Sequence, residues 1–315
     1  MALNNIGAAV HEKTAGAVLA AVQAAEQAGV PAVWLTTGAG ADAMTIFAAA
    51  TATTRRIRFG TAIVPTFPRH PVVMAQEAAD IGSLAPGRFT LGVGPSHAPA
   101  MEGRYGIPYV RPLEHLREFV DIVKRLLAGE QVDVTGKRFK VNAKLAYGAD
   151  VPVIISALRA GSFELAGEIA AGAVTWVCPA PYLRDVAMPA LARGAATGGR
   201  ARPKLIAHAF LALTTDAGEL ARGIAEFLTH YPNLRNYQEM FAAAGLPEAR
   251  EGKWSPAMID AVVLLGDPAT CEHKVRQFMD VAGADELILS VMATGTDRTA
   301  SVRRTLEWIG GLRAR

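Results

Sequence analysis

The sequence predicts an α/β chain folded as a (β/α)8 TIM barrel, and three observations lead there. Strand-like and helix-like patterns alternate almost throughout the 315 residues, as they do in a parallel sheet with crossover helices. Strand-like runs end in small residues, Gly60-Thr61 and Gly92-Val93-Gly94, where a parallel barrel places its ligand. The doubly wound alternative carries G-x-G-x-x-G after its first strand, and that fingerprint is missing here.

The elements follow in order. Residues 6–10 read as a weak first strand, Ala-rich and interrupted by Gly7. Residues 14–28 read as a helix with Val18, Leu19, Val22 and Ala25 on one face and Gly29 as its stop. A strand at 32–35 and a helix at 43–53 come next, then an apolar strand at 57–64, a helix at 71–84 and a strand at 88–93. Pro112 starts a strong helix at 112–127, in which Leu113, Leu116, Val120, Val123 and Leu127 share a face. Alternation around Thr135-Gly136 makes 132–142 a hairpin-like excursion rather than a barrel strand. Strands at 151–156, 173–177 and 204–213 alternate with helices at 162–171, 181–196 and 217–228. Periodicity falters over 231–256, which holds Pro232, Gly245, Pro247, Gly252 and Pro256. That stretch is expected to be an insertion forming a lid or an interface, and self-association as a homodimer stays open. A helix at 268–282, an eighth strand at 286–291 and a closing helix at 298–312 complete the chain.

Bulk composition narrows the function. Half the residues are hydrophobic and 19% are charged, so the chain buries a sizeable core and is not disordered. Barrels of this length fold as one unit, so residues 1–315 are expected to be a single domain. A net charge of +3 is too small to indicate nucleic acid but suits an anionic small ligand. Cys178 and Cys271 are the only cysteines, which supports neither a disulfide framework nor a metal site. The opening MALNNIGAAVHEKTAG lacks a basic segment followed by a long apolar core, and no apolar run approaches the roughly 20 residues that span a bilayer. The expectation is a cytoplasmic protein with no membrane partner.

The densest signal is residues 56–97. The phrasing R-I-R-F-G-T-x-x-x-P-T-x-P-R-H-P, then A-P-G-R-F-T-L-G-V-G-x-S-H, resembles the bacterial luciferase-like flavin monooxygenase superfamily. It is most similar to the actinobacterial branch that uses the deazaflavin coenzyme F-420, and Glu102-Gly103 through Arg111-Pro112 continues the resemblance. The resemblance implies a luciferase-like TIM barrel and hydride transfer between coenzyme F-420 and a small organic substrate. Two alternatives stay open: an FMN-dependent monooxygenase served by a partner reductase, and a non-catalytic flavin or deazaflavin carrier.

The resemblance also implies roles for particular residues. Ala62, Ile63 and Val64 would form a bulge behind the cofactor ring, often with a non-proline cis peptide, here between Ala62 and Ile63. Gly94 lets backbone approach a ligand without a Cβ in the way. Ser96 and His97 are the candidate catalytic pair, with His97 donating a proton or holding the cofactor. The loop Ser156-Ala157-Leu158-Arg159-Ala160-Gly161 opens a helix and would hold the phosphate, Arg159 compensating for departure from the usual A-x-G-P. Thr175 and Cys178 belong to the companion loop, Cys178 reading as a packing residue. Thr36 and Thr37 would hydrogen-bond the ring. The acid and histidine that sugar- and alcohol-oxidising relatives carry after the second strand are absent, and Pro95 stands where some carry glutamate. A reductase is therefore expected. Among the remaining histidines, His115 reads as solvated, His208 as a satisfied barrel histidine and His70 as shaping a turn. His11, His230 and His273 lack the i, i+4 spacing of a metal site.

Overall fold

A computed structural model describes residues 3–314; Met1, Ala2 and Arg315, inside the expected 1–315 unit, lie outside the described residues. The strands are β1 (Ile6–Ala9), β2 (Ala32–Leu35), β3 (Arg58–Thr61), β4 (Val64–Pro65), β5 (Phe89–Gly94), β6 (Val132–Thr135), β7 (Lys140–Ala143), β8 (Val153–Ser156), β9 (Gly172–Val174), β10 (Lys204–Leu213), β11 (Val263–Gly266) and β12 (Glu286–Val291). Eight of them close into a parallel barrel in the order β12–β1–β2–β3–β5–β8–β9–β10, with β10 returning to β12. The expected fold is the observed one.

The helices are α1 (Ala15–Gln27), α2 (Ala43–Thr53), α3 (Pro71–Leu84), α4 (Ala98–Tyr105), α5 (Pro112–Leu127), α6 (Ala160–Ile169), α7 (Ala180–Tyr182), α8 (Met188–Thr197), α9 (Ala217–Phe227), α10 (Arg235–Ala243), α11 (Pro256–Val262), α12 (Pro268–Ala282) and α13 (Arg298–Gly311). Their starts follow the local chemistry. Thr14, Asp42, Asp216 and Asp267 each cap a helix by accepting a backbone N–H, which satisfies a donor the helix itself leaves open. His70 caps α3 through Nδ1, so it does shape that turn. The expected helix at 181–196 is interrupted by a π-helical turn at Leu183–Ala187. Pro189 lies just beyond, has no N–H to return to the preceding turn, and so displaces the bonding upstream. No helix among the described residues is long and apolar enough to cross a membrane.

Three expectations need correction. Residues 57–64 are not one strand: β3 and β4 are separated by a cis peptide between Ala62 and Ile63, and both pair with β5. In the gap the Thr61 hydroxyl replaces the ladder, donating to the Gly92 carbonyl and accepting from the Gly92 N–H, both at 2.7 Å. Residues 231–256 are not irregular throughout, since α10 lies inside them; α11 and β11 follow, β11 pairing with the overhanging end of β10. His115 is not solvated. It is buried on α5, stacks on Phe67 with ring centroids 4.0 Å apart, and shares a hydrogen bond between its Nε2 and the Thr66 hydroxyl at 3.1 Å.

The apolar residues divide into two layers. The larger lies between barrel and helices, with Phe47, Phe59, Phe119 and Phe163 almost fully buried. The smaller fills the barrel interior: Ala9, Ala32, Trp34, Ala62, Ile154, Val174, Ile206 and Ile288. Trp34 is its one large ring, and the neighbouring strands make room for it. A Cβ on Gly60 would lie 2.3 Å from the Trp34 ring, and one on Gly7 2.8 Å from its Nε1. The glycine that weakens β1 as a sequence pattern is thus a packing requirement. At the opposite mouth Glu286 is buried and paired with Lys204 at 2.8 Å and Arg58 at 3.5 Å.

Two outcomes follow. Gly60→Ala should destabilise the protein by about 1–3 kcal/mol through overpacking, read from urea unfolding. The same change in a Trp34→Leu background should cost much less, and an equal cost in both would show that Trp34 is not the obstacle. Stability should also fall with acidity. Burial, aided by Arg138 and opposed by the Thr66 contact and Glu118, lowers His115 from 6.5 to about 4. Between those values the unfolded chain binds a proton the folded chain refuses, so this contribution is complete above pH 6.5 and lost as pH falls toward 4. His115→Gln should flatten the decline in unfolding midpoint over that window; an unchanged slope would remove His115 as a source.

Candidate active site

The C-terminal ends of the barrel strands open into a cavity of about 660 Å³. Its floor is the top of the barrel interior, because Ala62 and Val174 belong to both. Thr36 and Thr37 line it after β2, Ala62 and Ile63 after β3, and Ser96 and His97 after β5. Ser156, Ala157, Leu158, Arg159 and Gly161 follow β8, and Thr175 follows β9. Residues from five loops and strand ends, expected at the site from the sequence, are therefore brought to one space.

Four expected residues do not line it. Val64 has no exposed surface and packs into the layer between barrel and helices. Cys178 is likewise buried there, its Sγ 3.7 Å from the Trp176 carbonyl, and burial pushes its thiol up to about 12. Its position in that layer is accounted for by packing. Gly94 stands behind the wall: a Cβ there would meet the Ser156 Oγ at 2.1 Å and Ile63 at 3.2 Å, so the glycine seats the two residues that do face the cavity. Ala160 contributes backbone, at the first turn of α6.

That first turn is built to leave donors open. The Ser162 hydroxyl accepts from the N–H groups of Leu158 and Arg159 and donates to the Arg159 carbonyl. The Tyr182 hydroxyl fixes the Leu158 carbonyl at 2.9 Å. The N–H groups of Ala160 and Gly161 then point to the helix start without a partner among the described residues. Arg159 is exposed beside them and forms no ion pair among the described residues. A positive helix end and a guanidinium meeting at a cavity rim favour an anion.

Across the cavity, Ser96 takes a left-handed backbone at φ 60°, and its carbonyl accepts from the Tyr109 hydroxyl at 2.9 Å. His97 is half-buried, 5.8 Å from the Tyr237 ring, and burial together with His230 lowers it to about 4, so its imidazole is neutral at pH 7. Thr37 Oγ1 accepts from the Ala43 N–H at 3.1 Å, which leaves its own proton to give. Asp42, the one acid in the 36–42 segment, is engaged elsewhere. Burial raises its carboxyl, but the Thr45 N–H and the Arg69 guanidinium outweigh that and hold it below the usual range.

Sequence reasoning missed part of the wall. Trp176, Phe210 and Phe227 form an aromatic side, and Tyr231, Asn236 and Tyr237 place the 231–256 segment against the cavity. Aromatic residues in strands and insertions look alike whether they face a core or a ligand, so periodicity held no signal for them. His11 has no metal-site spacing in the sequence to mark it, yet it too lines the cavity. No cluster of three or more metal-binding side chains occurs among the described residues.

Known proteins converge on the same architecture. The chain is 26% identical over 280 residues to the 5,10-methylenetetrahydromethanopterin reductase of Methanolobus tindarius, covering 82% of this chain and 85% of that one. It is 34% identical over 203 residues to an F-420-dependent glucose-6-phosphate dehydrogenase of Beutenbergia cavernae, covering 58% and 59%. The solved F-420-dependent tetrahydromethanopterin reductase of Methanopyrus kandleri superimposes with a TM-score of 0.78 over 97% of both chains at 21% identity, a likeness of fold. The family model for luciferase-like monooxygenases matches residues 1–286. With its closed parallel barrel and a cavity at the strand ends, this chain belongs to the luciferase-like monooxygenase family.

Proposed function

We propose that this chain is an oxidoreductase moving a hydride between the deazaflavin coenzyme F-420 and a small organic substrate, as a reductase rather than a sugar or alcohol dehydrogenase. The observation that carries the reading is the pairing of two features in one cavity: an apolar wall at Ala62-Ile63, and open N–H donors with Arg159 at the rim. A flat ring with a phosphate-bearing tail needs both. One relative above is an F-420-dependent dehydrogenase and the other a reductase, which supports an oxidoreductase and leaves its direction to the site.

Bound there, the coenzyme supplies hydride chemistry at its C5. The chain's residues bind and orient. Ala62 and Ile63 would back the ring, Thr36 and Thr37 would offer it their hydroxyls, and Ser156 and Thr175 would line the side toward its tail. Arg159 and the N–H groups of Ala160 and Gly161 would hold the phosphate, with Ala157 and Leu158 packed beside it. Ser96 and His97 face the substrate side, where a neutral His97 acts through hydrogen bonds rather than as an imidazolium acid. The reductase reading rests on the acids: Asp42 is consumed by a helix cap and Arg69, Pro95 cannot act as a base, and Glu226 at the wall is paired with Arg298 at 2.8 Å.

Titrating the purified protein with F-420 and with FMN, followed by the ligand's own absorbance and fluorescence, tests the reading. Saturable F-420 binding with weaker FMN binding is expected. Tighter FMN binding would favour a two-component monooxygenase with a partner reductase, and binding without turnover over a broad substrate panel would favour a carrier. Arg159→Ala should weaken F-420 by about 1.5–3 kcal/mol, toward the lower value because the side chain is solvent-exposed. A phosphate-free deazaflavin should bind both proteins alike; an equal loss with that analogue would mean that Arg159 acts through packing.

A further inference from the structure

Beneath the aromatic wall lies a buried polar chain that the reading above does not use. Val177 adopts a left-handed backbone at φ 55°, unusual for a β-branched residue. This aims its N–H at the His208 Nδ1, 3.2 Å away. His208, fully buried on β10, stacks on Trp176 with ring centroids 3.6 Å apart and places its Nε2 2.8 Å from the Ser290 Oγ. Ser290, fully buried on β12, stands 3.1 Å from the His11 Nε2. His11 lines the cavity at the end of β1, between the edge of Trp176 and Phe227.

The protons in this chain have one consistent direction. The His208 Nδ1 accepts from a backbone N–H and so carries no proton itself. A neutral His208 therefore bears its proton on Nε2, and Ser290 accepts it. The buried Ser290 hydroxyl still has a proton to give, and its remaining partner is the His11 Nε2. Were His11 to donate as well, the serine proton would be buried without an acceptor, which costs about 1–3 kcal/mol. The His11 Nε2 is thus an acceptor and the proton sits on Nδ1. That nitrogen has no protein partner among the described residues. It is not a sealed orphan either, because Trp308 Nε1 is the one buried side-chain nitrogen or oxygen without a partner among them. The nitrogen opens to the cavity.

We propose that His11 is the cavity's built-in hydrogen-bond donor, its Nδ1–H held by the chain Val177–His208–Ser290 and aimed at the acceptor atom of a carbonyl- or imine-type substrate. His208 and Ser290 are positioning residues. Burial lowers His11 to about 4, so the ring is neutral at pH 7 and polarises its partner without giving up the proton. The substrate class rests on the hydride-transfer reading; the tautomer does not. In a ketone reduction the C–H bond at the reduced coenzyme's C5 breaks and a C–H bond forms at the carbonyl carbon. The C=O π pair moves to oxygen, where the Nδ1–H stabilises it until water supplies the proton. The coenzyme is oxidised and the ketone reduced.

Two measurements decide it. In the full-length protein labelled with 15N-histidine, long-range 1H–15N correlation should show His11 protonated on Nδ1 and His208 on Nε2, with Ser290→Ala releasing His11 toward the Nε2–H form. His11 protonated on Nε2 in the unsubstituted protein would overturn the proposal, whether or not F-420 binds. Cyclohexanone titrated into protein holding oxidised F-420 should bind about tenfold more weakly to His11→Phe, the upper range for one neutral hydrogen bond, and less weakly to Ser290→Ala. Equal affinity for His11→Phe and the parent, with matching thermal midpoints, would overturn the donor role. Failure of F-420 to bind would strike the deazaflavin reading, while the tautomer and cyclohexanone binding to the coenzyme-free protein would still decide the donor.

Discussion

The barrel must be filled, and Trp34 is the largest side chain that fills it. Eight closed strands enclose a space that small side chains leave partly empty, and voids in an interior forfeit contact energy. Trp34 occupies that space, and Gly7 and Gly60 on the strands either side are the complement of its ring. Ile154, Ile206 and Ile288 with Ala9, Ala32, Ala62 and Val174 fill what remains, and Ala62 and Val174 form the floor on which any ligand rests. The cavity has its depth because the plug stops where it does.

Above that floor the structure sorts like residues into unlike tasks. His115 and His208 are both buried and neutral, yet one stacks on Phe67 and fastens α5 to Thr66, while the other stacks on Trp176 and orders a proton chain. His97 and His11 reach the same cavity from β5 and β1. Environment separates them: the side chains share a donor–acceptor inventory, and each ring meets a different set of neighbours. A reductase reading needs donors of this kind more than it needs a charged acid. The nearby carboxylates of Asp42 and Glu226 are already committed to arginines.

The 231–256 segment shows how an insertion joins a site without joining the barrel. Tyr231 and Tyr237 turn their rings toward the cavity and toward each other, 4.8 Å apart, and burial raises both phenols. The aromatic wall therefore draws on barrel strands and on the insertion alike, with Phe210 and Trp176 from one and these tyrosines from the other. Substrate preference within such a family can then change by altering the insertion while the ring-backing wall stays fixed.

The sequence by itself determined the barrel, because each apolar strand and amphipathic helix carries its own period and its own stop signal. The ranges 32–35, 43–53, 71–84, 112–127, 204–213, 268–282 and 286–291 are the same in pattern and in structure. It also placed most of the rim, since strand ends in a parallel barrel share one face and the motifs at 60–66, 94–97 and 156–161 sit on them. Only the tertiary structure decided which way each side chain turns there. Val64 and Cys178 face the helices while Ala62 and Thr175 face the cavity, a choice set by strand pleat and by the break between β3 and β4. Only the tertiary structure could join His11, His208 and Ser290, which lie on β10, β12 and the end of β1. No pattern along the chain records them, because barrel closure brings together residues nearly 280 positions apart, and the hydrogen bonds that give them meaning exist only after closure.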